Sequence, residues 1–537
     1  MSQNKRHKFD AAGLDLVEEQ RLLLQQNLDA EKTQEERNRL GQFATPTELS
    51  IEILNYAKNL LPGSEKIRFL DPAFGTGSFY SALLRSFPPS QIECAFGYEI
   101  DTHYGISASK FWDDGILNLN LADFTKSSSP VLDREKFDLI ICNPPYVRHH
   151  HLNTGDKTRL RRLVTSKTNC RLNGLAGLYC YFLLLSQSWM SPGGLAGWLI
   201  PSEFLEVKYG HEVKQFLLKN VTLLHIHRFD PRQTQFEDAL VSSVVIWFRN
   251  SQPKPTHQTK FSFGGTLTNP EKSVARPIAT LDSNTKWTWA YVKDSQSKAH
   301  KKRETELRLS DLFVIKRGIA TGANKFFILT AKQVFDLKFP QECIKPILPS
   351  PRYLELDEIE SDQCGHPKIE KQLFLLDCNL PESAIKEKYP SVWNYLQTGI
   401  EQGIHKRYLC RHRSPWYSQE SRPAASILCT YMGRFSQTHD SPFRFILNHS
   451  EATAPNVYLL LYPKPTLAIR LKNDVQLLRS IWQVLRQIAP NDLIAEGRVY
   501  GGGLHKIEPN ELAKARIRKR DVFELSESTD GVQLSLF

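Results

Sequence analysis

No C-x-x-C pair occurs among the nine cysteines of this 537-residue chain, and nine is an odd number. Neither a structural zinc site nor a disulfide framework is therefore expected, and the cysteine usage suits a reducing cytosol. No apolar run reaches the ~20 residues that a membrane span needs. The best candidate, residues 175–190, contains Ser186, Gln187 and Ser188 and runs into Ser191-Pro192-Gly193-Gly194, so a buried helix followed by a turn is expected. No secretory signal opens the chain, because its first forty residues are charged almost throughout. Negative charge is in deficit: 58 Asp plus Glu stand against 69 Lys plus Arg, a net charge of +11 that makes nucleic acid the partner to test. With 41% hydrophobic and 24% charged residues, wholesale disorder is excluded.

The length suits about three domains, or two with one large. Residues 1–40 read as a helical extension of one or two amphipathic helices. From 41 to 250, strand-like runs at 66–70, 92–98, 117–121, 137–142, 195–200, 223–229 and 241–248 mostly alternate with segments long enough for helices. That alternation predicts crossover connections and a largely parallel, doubly wound α/β domain. The stretch 251–305 reads as a connector, opened by Ser251-Gln252-Pro253-Lys254-Pro255-Thr256 and continued by short strands and turns. Residues 306–525 mix strands and helices irregularly, and 526–537 form a short tail.

The sharpest motif is Asn143-Pro144-Pro145-Tyr146, directly after the apolar run Phe137-Asp138-Leu139-Ile140-Ile141-Cys142. Ligand sites of open α/β sheets lie at the carboxyl ends of strands, where this tetrapeptide falls. The exocyclic amine of a nucleobase is a poor nucleophile, because its lone pair is delocalised into the ring. Two acceptors, the Asn143 side-chain oxygen and the Pro144 carbonyl, can bind its two N–H groups and favour a more tetrahedral nitrogen. Two prolines in succession hold that carbonyl rigidly and remove competing donors. Tyr146 offers a face on which a base can stack, worth about 1–3 kcal/mol. Upstream, Asp71-Pro72-Ala73-Phe74-Gly75-Thr76-Gly77 follows a strand and precedes a helix, so backbone can approach a ligand closely. A nicotinamide dinucleotide is disfavoured, since Tyr80 stands where that fingerprint wants a third small residue. Glu99 and Asp123-Phe124 then fall at successive strand ends. The first can accept from two ribose hydroxyls; the second offers an acceptor for an adenine amine beside an aromatic ring.

In this order the segments resemble the S-adenosylmethionine-dependent methyltransferases, and specifically the gamma-class, TaqI-like adenine-N6 DNA methyltransferases of restriction-modification systems. The resemblance implies a Rossmann-like catalytic sheet over 41–250 and a C-terminal mixed α/β target-recognition domain over 306–525. It also extends, more weakly, through Arg317 to Gly322 and Gly501 to Lys506. It places Thr45 and Pro46, in Gly41-Gln42-Phe43-Ala44-Thr45-Pro46, beside the methionine part of S-adenosylmethionine. Asp71, Ala73, Gly75 and Gly77 fall in its glycine loop, Glu99 on the ribose, and Asp123 and Phe124 on the adenine of the cofactor. Asn143, Pro144, Pro145 and Tyr146 become the catalytic motif. Phe236, which leads residues 236–246, would lie against an extruded base opposite Tyr146 or along its edge. The resemblance further implies a prokaryotic, cytoplasmic enzyme paired with a separately encoded restriction endonuclease. No metal is expected, because three consecutive histidines at 149–151 cannot easily face one ion.

A base inside a duplex must be extruded before chemistry can reach it, and phosphates call for cations nearby. Residues 148–171 carry Arg148, Lys157, Arg159, Arg161, Arg162, Lys167 and Arg171 against one acid, Asp156. A second cluster holds Lys406, Arg407, Arg411 and Arg413, interleaved with Tyr408, His412, Trp416 and Tyr417. Both are candidate duplex-DNA contacts, the second as a groove reader. Other substrates of an Asn-Pro-Pro-Tyr site remain open: cytosine N4, RNA, or a glutamine amide of a protein. A binding module without activity is disfavoured by the intact Asn143 and Tyr146, and forty leading residues are too few for a fused nuclease.

Overall fold

The computed structural model describes residues 11–61, 66–113, 115–233, 235–236, 242–291, 306–436 and 440–518. The chain divides into two compact units, residues 1–300 with 500–502 and residues 301–499 with 503–537. The expected tail 526–537 lies outside the described residues, as do residues 292–305.

The first unit is built on a nine-stranded sheet ordered β3-β2-β1-β4-β5-β7-β6-β8-β9. Its strands are β1 (Ile67–Asp71), β2 (Ile92–Tyr98), β3 (Leu117–Asn120), β4 (Phe137–Cys142), β5 (Met190–Pro201), β6 (Thr222–Arg228), β7 (Ser243–Arg249), β8 (Gln258–Gly265) and β9 (Pro270–Pro277). The strands β1 to β5 pair in parallel, whereas β7 runs antiparallel between β5 and β6. The α/β methyltransferase-type sheet expected from the sequence is thus the one found, with β7 reversed inside it.

Central strands read as continuous apolar runs because both faces are covered. Alternate side chains leave in opposite directions: Phe69, Leu139 and Ile141 enter one core, while Leu70, Ile140 and Cys142 enter the other. Among the helices are α1 (Ala11–Ala30), α2 (Gln34–Leu40), α3 (Thr47–Leu60), α4 (Ser78–Ser86), α5 (Thr102–Phe111), α6 (Thr154–Thr168), α7 (Leu178–Ser186) and α8 (His211–Lys219). Helix α6 is mostly polar, and its buried residues Leu160, Val164 and Thr168 recur every fourth position along one narrow stripe, with Leu163 packed beside it. Asn153 caps its start through a bond from the Asp156 amide, and Asn169 ends it in the left-handed region.

Two expectations need correction. The turn expected at Ser191 to Gly194 lies inside β5: Phe137 pairs with Met190 but Leu139 with Leu195, so the extra residues are absorbed as a bulge. The stretch expected as a connector contributes β8 and β9, which extend the sheet beyond β6.

The second unit has a five-stranded sheet ordered Phe313–Arg317, Tyr458–Pro463, Ile427–Thr430, Phe445–Asn448 and Glu358–Ile359. The helix Val475–Arg486 packs on it, and its Trp482 indole donates to the Phe445 carbonyl at 2.8 Å. A three-stranded sheet, Ile328–Thr330, Leu373–Leu376 and Ile344–Ile347, has a separate core. Mixed strands and helices agree with the irregular texture of the sequence. No helix among the described residues is long and apolar enough to cross a membrane.

His225 and His227 occupy one face of β6, and both rings bond the Ser262 hydroxyl on β8, at 2.6 and 2.8 Å. Burial, reinforced by the Lys260 charge, pushes His225 down to about 2 and His227 to about 4. Below pH 6.5 the unfolded chain takes up protons here that the folded protein does not, so these residues erode stability as pH falls. A His225→Gln variant should therefore lose less stability than wild type between pH 7 and pH 5, by on the order of 1–2 kcal/mol. Urea unfolding at the two pH values measures the difference; equal losses would contradict it.

Candidate active site

Because β1 to β4 are parallel, the segments following them emerge at one edge of the sheet. The chain runs outward from β1 to β3 and then returns to β4 on the other side of β1, so the edge between β1 and β4 is the switch point where a crevice opens. The loop 72–77, Glu99, Asp123 and the tetrapeptide 143–146 all lie at this edge.

The tetrapeptide is held by residues 41–46. The Tyr146 amide donates to the Gly41 carbonyl at 3.0 Å. Gly41 has φ +66, and a Cβ there would stand 2.3 Å from the Tyr146 nitrogen, so no other residue fits. Asn143 Nδ2 donates to the Phe43 carbonyl at 2.9 Å and to Thr45 Oγ1 at 3.1 Å. A carbonyl can only accept, so these bonds fix which end of the amide is nitrogen. The other end, Asn143 Oδ1, is buried and has no hydrogen-bond partner among the described residues. The Tyr146 hydroxyl donates to the Leu199 carbonyl at 3.2 Å, and burial pushes that phenol well up.

Phe43 lies 5.6 Å from the Tyr146 ring, and Phe236 stands edge-on to Tyr146 at 5.9 Å and 84°. Phe43 and Phe236 are also 5.9 Å apart. A base sandwiched between parallel rings needs about 7 Å, twice the ~3.5 Å carbon contact distance. At these separations no base fits between any two of the three rings as they stand.

The glycine loop turns through Gly75 at φ +57, and a Cβ there would meet nothing within 4 Å. The Gly75 amide donates to Glu99 Oε2 and the Asp101 amide to Glu99 Oε1, each at 2.8 Å. Burial raises the Glu99 carboxyl, against these bonds. Asp71 is buried and accepts from the Ala73 amide at 3.1 Å; burial, with the Glu99 charge adding, pushes it up to about 8. Asp123 Oδ1 caps a short turn by accepting from the Thr125 amide and hydroxyl, leaving Oδ2 facing Lys126 and Arg159. Phe124 is in the core, against Tyr98, Phe182 and Trp189. Gly77 is buried, Ala73 half-buried and Pro46 exposed at the start of α3.

Residues 96–236 match the family model of the Eco57I restriction-modification methylase, and residues 284–534 match the C-terminal domain of the Type II methyltransferase M.Eco57I. These two matches together support a restriction-modification DNA methyltransferase. It is similar to Type II methyltransferase M.AccI of Acinetobacter calcoaceticus, at 28% identity over 519 residues that cover 94% of this chain and 89% of that protein. Type II methyltransferase M.XamI of Xanthomonas campestris pv. amaranthicola is 24% identical over 488 residues, covering 89% and 85%. In fold it resembles the Type IIL restriction-modification enzyme MmeI, solved in complex with DNA, with a TM-score of 0.50 and 13% identity over 87% of this chain and 64% of that one.

The cations of the methylase divide into two kinds. Arg148, Arg161 and Arg162 are exposed, the last two on α6. Arg159, expected beside them, folds inward and donates to the Thr125 carbonyl and hydroxyl at 2.8 and 2.9 Å. In the second unit, Lys406, Arg407 and Arg411 are exposed, and Arg411 lies over the Tyr408 ring at 5.4 Å. Arg413 departs from expectation: it donates to the carbonyls of Ala320 and Thr321 at 2.6 and 3.0 Å and to Gln419 Oε1 at 3.2 Å. Arg159 and Arg413 thus each commit both terminal guanidinium nitrogens to the fold. Sequence reading also missed the clasp formed by Gly41 and Phe43; the signal available was a glycine and an aromatic immediately before Thr45-Pro46.

The two glycines give contrasting expectations. Gly41→Ala must displace the Tyr146 backbone and should destabilise the methylase by about 2–3 kcal/mol, whereas Gly75→Ala carries only positive-φ strain of about 1 kcal/mol. Chemical denaturation of the two variants measures this, and equal effects would contradict the clasp.

Proposed function

We propose that this methylase transfers a methyl group from S-adenosylmethionine to adenine N6 of a base extruded from duplex DNA. The observation that carries the reading is the buried Asn143 Oδ1, which has no donor among the described residues. A buried acceptor without a donor costs roughly 1–3 kcal/mol, and the amine of a target base supplies the missing N–H.

The cofactor's place is supported by the open space over Gly75, which a side chain would fill, and by Glu99, which backbone amides hold at the end of β2 where its carboxylate can accept from a ribose hydroxyl. Asp123 Oδ2 is left to accept from an adenine amine, with Arg159 holding its loop. S-adenosylmethionine, when bound, supplies an electrophilic methyl group, transferred in line to the amine nitrogen without a covalent enzyme intermediate. Asn143 Oδ1 and the Pro144 carbonyl accept the two N–H groups and draw the nitrogen toward tetrahedral geometry, a positioning and electrostatic effect. Thr45 acts through Asn143, fixing its amide. Tyr146 stacks on the base and Phe236 meets its edge, which requires Phe43 or Phe236 to move from the contacts described above. The nitrogen becomes acidic once alkylated, so no strong base is needed. The exposed Arg148, Arg161 and Arg162 suit phosphates, as do Lys406, Arg407 and Arg411. The reading includes a partnership with a separate restriction endonuclease.

Incubation with labelled S-adenosylmethionine and separate pools of unmethylated duplex DNA, RNA and protein tests the proposal. N6-methyladenine at one recurring DNA sequence is expected. N4-methylcytosine, or label confined to RNA or protein, would overturn it.

A further inference from the structure

Helix α1 is joined to the sheet by a buried ionic network. Arg21 is 1% exposed and forms a two-pronged pair with Glu18, Nε to Oε2 at 2.8 Å and Nη2 to Oε1 at 2.7 Å. The remaining prong, Nη1, donates to Thr76 Oγ1 at 3.0 Å, and that hydroxyl in turn donates to Gln25 Oε1 at 2.5 Å. Glu18 also accepts from Ser81 in α4 at 2.5 Å and from the Thr47 hydroxyl at the start of α3. Farther along α1 and beyond it, Asp29 accepts from Tyr104, the Leu28 carbonyl is bonded by His103, and Lys32 pairs with Asp101. Asp101 is the residue whose amide holds Glu99.

This pattern is more specific than helix packing requires. An apolar contact such as that of Val17 would dock α1 without bringing a charge pair out of water. Burying two charges is costly unless every donor and acceptor is matched, and here both carboxylate oxygens and all three guanidinium nitrogens are engaged. Burial alone would raise the Glu18 carboxyl, yet the bonds and charge of Arg21, with Ser81 and Thr47, hold it below the usual range. Three separate segments meet at the pair: Thr76 in the glycine loop, Thr47 two residues after Thr45, and Ser81 in the helix that follows the loop.

We propose that Glu18 and Arg21 are positioning residues for the cofactor loop, so that α1 is a working part of the S-adenosylmethionine site. The inference rests on the cofactor reading above. The fork of Arg21 fixes the Thr76 hydroxyl and with it the backbone between Ala73 and Gly77. Glu18 ties that loop to the segment that holds Asn143.

Calorimetric titration of the full chain with S-adenosylmethionine tests this, at a low temperature where circular dichroism shows each variant fully folded. Thr76→Val removes the bridging hydroxyl but leaves the ion pair. Arg21→Lys keeps the charge but cannot reach both Glu18 and Thr76. Both should raise Kd at least tenfold. A purely structural role would lower the unfolding midpoint and leave Kd alone, so values within twofold of wild type for both variants overturn the inference. Binding by the wild-type chain in the same titration carries the cofactor reading, so the two failures are distinguishable.

Discussion

A side-chain amide buried in a protein has an N–H end and an oxygen end to satisfy, and at Asn143 only the first is satisfied. The Phe43 carbonyl and Thr45 hydroxyl take the nitrogen, which aims the oxygen away from them and leaves it without a donor among the described residues. Much of the surrounding architecture follows from holding that amide still. Gly41 presses against the Tyr146 backbone with no room for a side chain. Parallel strands deliver the tetrapeptide and the glycine loop to one edge of the sheet. The Glu18–Arg21 pair then links the loop to the start of α3, just past Thr45.

The same logic separates structural cations from surface ones. Arginine carries a planar fork of donors, so a loop with unpaired carbonyls can capture it as readily as a phosphate can. Arg159 and Arg413 are captured in this way. The residues beside them in sequence, Arg161, Arg162, Arg407 and Arg411, point their charge to solvent. A basic cluster in a sequence is therefore an upper bound on the cations that face a ligand.

The legible parts of the molecule were those that local pattern determines. The runs at 66–70, 92–98 and 137–142 read as strands because burial on both faces keeps them apolar apart from Lys66, Arg68, Glu93 and Asp138 near their starts. The Asn143-Pro144-Pro145-Tyr146 motif was legible because its chemistry is contained in four consecutive residues. Contacts between distant segments were not legible: nothing local to Arg21 indicates Thr76, 55 residues away, and nothing local to Phe43 indicates that its carbonyl receives Asn143. The bulge in β5 was hidden for a different reason. Its Ser-Pro-Gly-Gly sequence is ordinary turn chemistry, and only pairing with β4 turns it into strand. Likewise β8 and β9 follow two prolines that look like a linker, yet the sheet edge beyond β6 recruits them.

The central claim is that the Asn143 oxygen acts on the substrate amine and not on the fold or the cofactor. The most direct test is an Asn143→Ala variant, with the cofactor Kd measured by calorimetry and methyl transfer measured in a single turnover at saturating S-adenosylmethionine. The account predicts a Kd within about threefold of wild type and a transfer rate reduced by at least 10³-fold, as expected when a group stabilising the transition state is removed. Transfer at a rate near that of wild type would contradict it.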